Sequence, residues 1–207
     1  MPRIDVINLK KEKVSEIDLS DEVFSADIRP HLIHSVVVWQ LAKKRRGTAS
    51  TKERSDVAFS TRKLYRQKHT GRARAGSRKS PVRVGGGTIF GPKPRNFAIS
   101  LPKKVRKQAL KSALTQTLRD GKLMVLDSFP LEEIKTRAFI SQFSGLQLPK
   151  ALMIVHEKDE RLEKSARNVP GVKIIQAVGL NVYDILCYQN LVLLQSSIPV
   201  IEGALQS

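Results

Sequence analysis

The 207-residue chain contains a single cysteine, Cys187. One thiol makes neither an internal disulfide nor a cysteine-based zinc site, so a secreted disulfide scaffold and a zinc ribbon are both excluded. A reducing compartment is the natural setting. Long hydrophobic runs are also missing. No apolar stretch approaches the ~18 residues of a membrane span, and Met1 to Lys10 has neither the apolar segment of a secretory signal nor the acid-poor character of a transit peptide. A soluble, cytoplasmic protein with no membrane partner is expected. A third absence is of acid: no Asp or Glu lies between Asp56 and Asp120.

What is present is positive charge, and it is concentrated. The chain has 37 Lys+Arg against 19 Asp+Glu, a formal charge of +18. From Lys43 to Lys111 there are 22 cations and two acids, Glu53 and Asp56, so this segment carries +20 and the remainder nets −2. A near-neutral body bearing one cationic segment implies a polyanionic partner, and nucleic acid fits better than an anionic membrane surface. The 41% hydrophobic content is enough for a core and excludes a wholly disordered basic tail.

Periodicity divides the chain. Arg3 to Leu9 and Val14 to Leu19 alternate as a strand pair would. After Pro30, Leu32, Ile33, Val36, Val37 and Leu41 take helical spacing, which ends at Lys43, Lys44, Arg45, Arg46 and Gly47. From Gly47 to Ile99 no period persists. Seven of the 12 glycines lie there, with Pro81, Pro92 and Pro94. Ordering so long a loop costs more conformational entropy than its few apolar residues can return, so it is expected to order only on a negatively charged partner. Helical spacing resumes with Val105, Ala109, Leu110, Ala113, Leu114, Thr117 and Leu118, while Lys103, Arg106, Lys107 and Lys111 form an outward cationic face. Apolar runs at Leu123 to Leu126, Ala151 to Val155, Val172 to Ile175 and Leu191 to Leu194 then alternate with helix-like stretches. The expectation is an α/β fold: a parallel-sheet body with flanking helices plus a long, basic, irregular loop extension. Residues 1–46 and 100–207 would form the body and 47–99 the RNA-binding loop.

Chemical motifs are sparse. Gly85-Gly86-Gly87-Thr88-Ile89-Phe90-Gly91-Pro92-Lys93 invites a phosphate-loop reading, but Pro92 separates the lysine from the glycine, and no helix opens there. These glycines suit a turn, or close packing on a nucleic-acid backbone. His31 and His34 share a helix face without a carboxylate or thiol nearby to complete a metal site, and Cys187 reads as a buried small hydrophobe. No nucleophile-base set, paired carboxylates or dinucleotide fingerprint stands out, so no enzyme, cofactor, metal or small-molecule substrate is expected. Tyr65 to Lys79 interleaves cations with stackable rings, which suits an arm threading folded RNA.

Three motifs carry a family resemblance: Gly47-Thr48-Ala49-Ser50-Thr51-Lys52, Arg66-Gln67-Lys68-His69-Thr70-Gly71-Arg72-Ala73-Arg74, and Gly86-Gly87-Thr88-Ile89-Phe90-Gly91-Pro92-Lys93-Pro94-Arg95. With Ala166-Arg167-Asn168 and Asn181-Val182-Tyr183-Asp184 they occur in the order found in family four of the bacterial large-subunit ribosomal proteins, which the chain resembles over essentially its whole length. The resemblance implies a ribosomal constituent that binds 23S ribosomal RNA beside neighbouring large-subunit proteins. It also implies support of early subunit assembly and, in some members, binding of the operon's own leader mRNA. It places Tyr65, Arg66, Gln67, Lys68, His69, Thr70 and Gly71 at a tip lining the polypeptide exit tunnel, with Arg62, Lys63, Arg72 and Arg74 contacting RNA beside it. The other cations expected at RNA are Lys43, Lys44, Arg45, Arg46, Lys52, Arg54, Arg78, Lys79, Arg83, Lys93 and Arg95, and on the following helix Lys103, Lys104, Arg106 and Lys107. The chain departs from the family's usual pattern where His69 replaces glycine and Leu64-Tyr65 replaces Pro-Trp. The competing readings are a free regulatory RNA- or DNA-binding protein and, more remotely, an α/β enzyme with a basic substrate loop.

Overall fold

The computed structural model describes residues 1–131 and 133–206. The chain divides into two compact units, Met1–Leu41 with Ser100–Ser207, and Ala42–Ile99.

The first unit is a six-stranded sheet between two helical layers. Its strands are β1 (Arg3–Ile7), β2 (Lys13–Asp18), β3 (Leu123–Leu126), β4 (Ala151–Val155), β5 (Val172–Gln176) and β6 (Asn190–Leu194), ordered β2-β1-β3-β6-β4-β5. β1 runs antiparallel to β2, and every other neighbouring pair is parallel. The strand pair expected at the N-terminus therefore forms one edge of the same sheet. β4 is buried at all five residues, as a strand covered on both faces must be. Its side chains alternate: Leu152 and Ile154 enter one core with Val125, Leu191 and Leu193, whereas Ala151, Met153 and Val155 enter the other with Val192.

Helices α1 (Asp21–Phe24), α2 (Pro30–Lys44), α3 (Lys103–Arg119), α6 (Val182–Cys187) and α7 (Ile198–Gln206) supply residues to the first core; α4 (Thr136–Ser144) and α5 (Glu160–Ala166) supply the second. The second core is centred on Phe139, whose ring lies 5.3 Å from that of Phe129 and 5.4 Å from that of Phe143. Pro30 begins α2, where its missing N–H has no intrahelical partner to lose. Ser112 and Thr115 of α3 are buried because their hydroxyls satisfy α1 and the chain that follows it: they donate to the Asp27 and Val23 carbonyls, and Thr115 accepts from the Ala26 N–H.

Two family motifs prove structural in this unit. Asn181 caps α6 by accepting from the Asp184 N–H at 2.9 Å, and its amide donates to the buried Asp184 carboxylate, which also holds Lys173 at 2.7 Å. Arg167, in the other motif, caps the end of α5. The structure corrects two sequence expectations. Cys187 is exposed, because α6 buries Val182, Asp184 and Ile185 instead. Leu41 is exposed although it continues the apolar spacing of α2. α1 and α7 carried no expectation: α1 is a single turn, and α7 opens on a proline-containing apolar stretch.

Candidate nucleic-acid interface

Residues 47–99 contain no helix or strand, in line with the missing period, but they are not without internal order. Two legs run side by side. The Arg95 N–H donates to the Gly47 carbonyl at 3.1 Å, the Thr51 N–H to Pro92 at 3.0 Å, the Thr88 N–H to Lys52 at 2.9 Å and the Leu64 N–H to Gly76 at 3.2 Å. Glycines allow the legs to meet. A Cβ on Gly47, whose φ is +65°, would fall 1.9 Å from the Arg95 carbonyl oxygen. One on Gly87 would fall 2.4 Å from the Arg54 nitrogen, and one on Gly91 2.1 Å from Thr51 Oγ1. Gly47 and Gly87 are required by the backbone of the opposite leg and Gly91 by the Thr51 side chain, a demand that arises within the chain itself.

The cations stand around this frame. Among residues 42–99 only Ser77 and Gly87 are buried. Lys43, Lys44, Arg46, Lys52, Arg54, Arg62, Lys63, Arg72 and Arg74 are exposed, and Arg83 is half-buried. Others have work within the unit. Arg45 and Arg95 lie over the Phe97 ring at 3.9 and 4.4 Å, and Arg78 lies over Phe59 at 5.3 Å. Lys79 donates to the Ser55 carbonyl at 3.4 Å. Lys93 pairs with Glu53 at 3.2 Å and Asp56 at 3.4 Å, the only acids of the unit. Glu53, foremost, holds Lys93 above the ordinary lysine range. Asp56 is held below the ordinary carboxyl range by the Glu53 backbone N–H first and by Lys93 second.

At the tip, the Tyr65 hydroxyl donates to the Ala73 carbonyl, Lys63 to Gln67, and Arg66 to the His69 carbonyl at 3.0 Å. His69 has φ +61°, as does Gly71, so histidine occupies the left-handed conformation that favours glycine. Lys68 and His69 are exposed; Tyr65 and Thr70 are half-buried.

In the first unit, Lys103 and Lys104 are exposed and Arg106 and Lys107 half-buried in the opening of α3, which has no acid in its first turn. Four cations at the positive pole of a helix oppose its dipole. Arg106 lies 4.9 Å over the Trp39 ring, its Nε buried without a hydrogen-bond partner. It lines a groove of about 460 Å3 with Lys103, Lys107, Leu110 and Leu180. The cationic face expected to project outward is thus partly folded into the wall of a groove. The sequence reading missed Trp39 as the ring beneath Arg106; seven residues of helical register after Leu32 were its only signal.

Among the described residues no group of His, Cys, Asp and Glu could hold a metal, and no helix is long and apolar enough to cross a membrane. A near-neutral α/β body and a cation-dense unit with almost nothing buried define an α/β protein with a basic, irregular extension. The family then follows from comparison with known proteins. Residues 17–204 match the family described as "Ribosomal protein L4/L1 family". "Large ribosomal subunit protein uL4" of Desulfatibacillum aliphaticivorans is 53% identical over 205 residues, covering 99% of this chain and 100% of that protein. The protein of the same name from Syntrophus aciditrophicus is 48% identical over 203 residues, 98% of this chain and 94% of its own. That of Geobacter sulfurreducens is 45% identical over 207 residues, the full length of both. The chain belongs to this family, and it is a structural ribosomal constituent rather than an enzyme.

Proposed function

We propose that the chain is a cytoplasmic constituent of the large ribosomal subunit that binds 23S ribosomal RNA through residues 47–99 and the opening of α3. In this reading it supports early assembly of the subunit beside neighbouring ribosomal proteins, and its Tyr65–Gly71 tip lines the polypeptide exit tunnel. The observation that carries the reading is that residues 42–99 hold 17 Lys+Arg against two acids, a charge of +15, on a unit that buries almost nothing of its own. Such a surface gains little from internal packing and much from phosphate contacts that release counterions. The cations at the wrong pole of α3 point the same way, since a phosphate backbone offsets their repulsion by the helix dipole.

Co-sedimentation tests this. The protein should remain stoichiometric with large subunits through a salt wash, whereas a free regulatory protein would be recovered in the supernatant. Binding to 23S RNA should be steeply salt-dependent: if about eight phosphates are neutralised, log K against log salt slopes at about −6 to −7. A slope shallower than about −2 would exclude the cationic segment as the binding surface. For the tip, subunits carrying Lys68→Glu should assemble yet respond differently to stalling nascent peptides or tunnel-binding drugs. Failure to assemble, or unchanged behaviour after assembly, would remove Lys68 from the tunnel.

A further inference from the structure

The second unit contains four Phe and Tyr rings, and three already have partners. Arg45 and Arg95 both lie over the Phe97 ring, Phe59 lies under Arg78, and the Tyr65 hydroxyl donates to the Ala73 carbonyl. Phe90 is the fourth. It is 102% exposed, and its neighbour Ile89 is 59% exposed. Its backbone has φ +54°, a conformation that a bulky side chain rarely adopts. A large apolar ring held in full contact with water, on a disfavoured backbone, marks a residue whose partner lies outside the chain.

The surrounding backbone keeps the ring from folding inward. On one side the Thr88 N–H donates to the Lys52 carbonyl at 2.9 Å, and Gly87 is buried against the Arg54 backbone. On the other, Gly91 lies against Thr51, whose N–H and hydroxyl both donate to the Pro92 carbonyl, at 3.0 and 3.3 Å. Phe90 therefore stands on a short turn pinned at both ends to the opposite leg. That leg carries the exposed cations Lys52 and Arg54.

A partner for this arrangement must offer a flat apolar face next to negative charge. An unpaired nucleobase with its flanking phosphates does so: every base has a π-face, and cations beside the ring can meet the backbone on either side. A protein partner would need an apolar pocket rimmed by acids, and would not use the planarity of the ring. We propose that Phe90 is a base-stacking residue, receiving one unpaired base of ribosomal RNA on its ring while Lys52 and Arg54 meet neighbouring phosphates. This rests on the reading that the chain binds 23S RNA and adds to it a specific, non-electrostatic contact.

The test uses the full-length protein and 23S RNA, comparing wild type with Phe90→Ala, Phe90→Leu and Phe90→Trp, the last in a Trp39→Phe background so that one indole reports. Phe90→Ala should bind roughly 5- to 150-fold more weakly, the equivalent of about 1–3 kcal/mol for one stacked base. Its salt slope should be unchanged, because no phosphate contact is lost. Phe90→Leu should be impaired nearly as much, since it keeps bulk but has no ring. Phe90→Trp should bind at least as well as its Trp39→Phe parent, with its emission quenched by RNA. Thermal unfolding of all variants should match their parents, the side chain being wholly exposed. Wild-type affinity in Phe90→Ala would overturn the inference and leave the RNA-binding reading standing. Retained affinity in Phe90→Leu, or an unquenched blue shift in Phe90→Trp, would also overturn it, since apolar bulk and not a stacked ring would then be what the RNA meets. Absence of binding by the wild type would instead bring down the RNA-binding reading itself.

Discussion

In the first unit an entire strand, β4, is buried from Ala151 to Val155, whereas across residues 42–99 only Ser77 and Gly87 are buried. The two units hold their backbones by different means. In the α/β body, side chains from both faces of the sheet interlock with helices, and stability follows apolar area removed from water. In the second unit the legs meet through backbone hydrogen bonds, beside Gly47, Gly87 and Gly91 where a Cβ cannot fit, and two of its rings, Phe59 and Phe97, lie against arginines rather than aliphatic side chains. Cation–ring contacts at exposed sites are each worth only ~0.5–1 kcal/mol. Such a frame presents charge without neutralising it. The comparison shows that a cationic surface can be pre-shaped without a core, provided glycine stands where the legs approach most closely.

The largest effect should come from attacking the body. Phe139 is fully buried between Phe129 and Phe143, and Phe139→Ala should cost about 3–5 kcal/mol, a loss visible as a lower melting temperature. Deleting residues 50–97 and joining the ends with a short linker should leave that temperature nearly unchanged while abolishing tight RNA binding. A deletion variant that fails to fold cooperatively would show that the two units are not energetically separate.

A smaller and local effect is expected at the crossings. Gly87→Ala would place a Cβ 2.4 Å from the Arg54 nitrogen, and overpacking of this kind costs typically about 1–3 kcal/mol. With no core to share the strain, the legs should part there. Hydrogen exchange at the Gly87 and Thr88 amides should speed up, with no change in the melting of the body. Gly71→Ala is the control: nothing lies within 4 Å of its Cβ position, so only its φ of +61° resists. Equal effects at both sites would mean that backbone conformation, not close approach, governs the stem.

This contrast also explains what was legible in the sequence. β3 and β4 and the apolar stripe of α3 were readable because burial imposes a period, and both strand bounds agree with the apolar runs. The α/β class and the family followed from the same patterns and from the motifs. The fates of Cys187 and Leu41 were not readable, because helical register near a helix end does not say where the packing stops. Nor was the stem: the contact of Gly87 with Arg54 links residues 33 positions apart, and no local period encodes it. The left-handed backbone at His69 had no signal in the residue itself, since histidine rarely stands there. The exposed ring of Phe90 had no signal, since nothing in a motif of glycines and apolar residues distinguishes a ring turned outward from one turned inward.

The smallest expected effect concerns the place where the second unit pairs a cation with its own carboxylates. Asp56 has a lower pKa in the folded stem than in an unfolded chain, so its contribution is complete above the ordinary value of about 3.9 and fades as pH falls through the lower folded value. Lys93 is shifted the other way, so its share is complete below the ordinary lysine value of about 10.4 and is lost as pH rises through the higher folded value. The clasp should therefore be insensitive to pH between about 5 and 9. Because the Glu53 N–H acts on Asp56 before Lys93 does, Lys93→Gln should raise the Asp56 pKa but leave it below the ordinary value, as a carboxyl-detected NMR titration would register. A full return to the ordinary value would make the ion pair, not the backbone, the dominant cause. RNA binding supplies the matching test, since a lysine already paired with Glu53 and Asp56 releases fewer counterions on meeting phosphate than an exposed one. Lys93→Gln should reduce the salt slope by less than the roughly one unit expected for Arg54→Gln. Equal reductions would mean that RNA takes Lys93 from its carboxylates on binding.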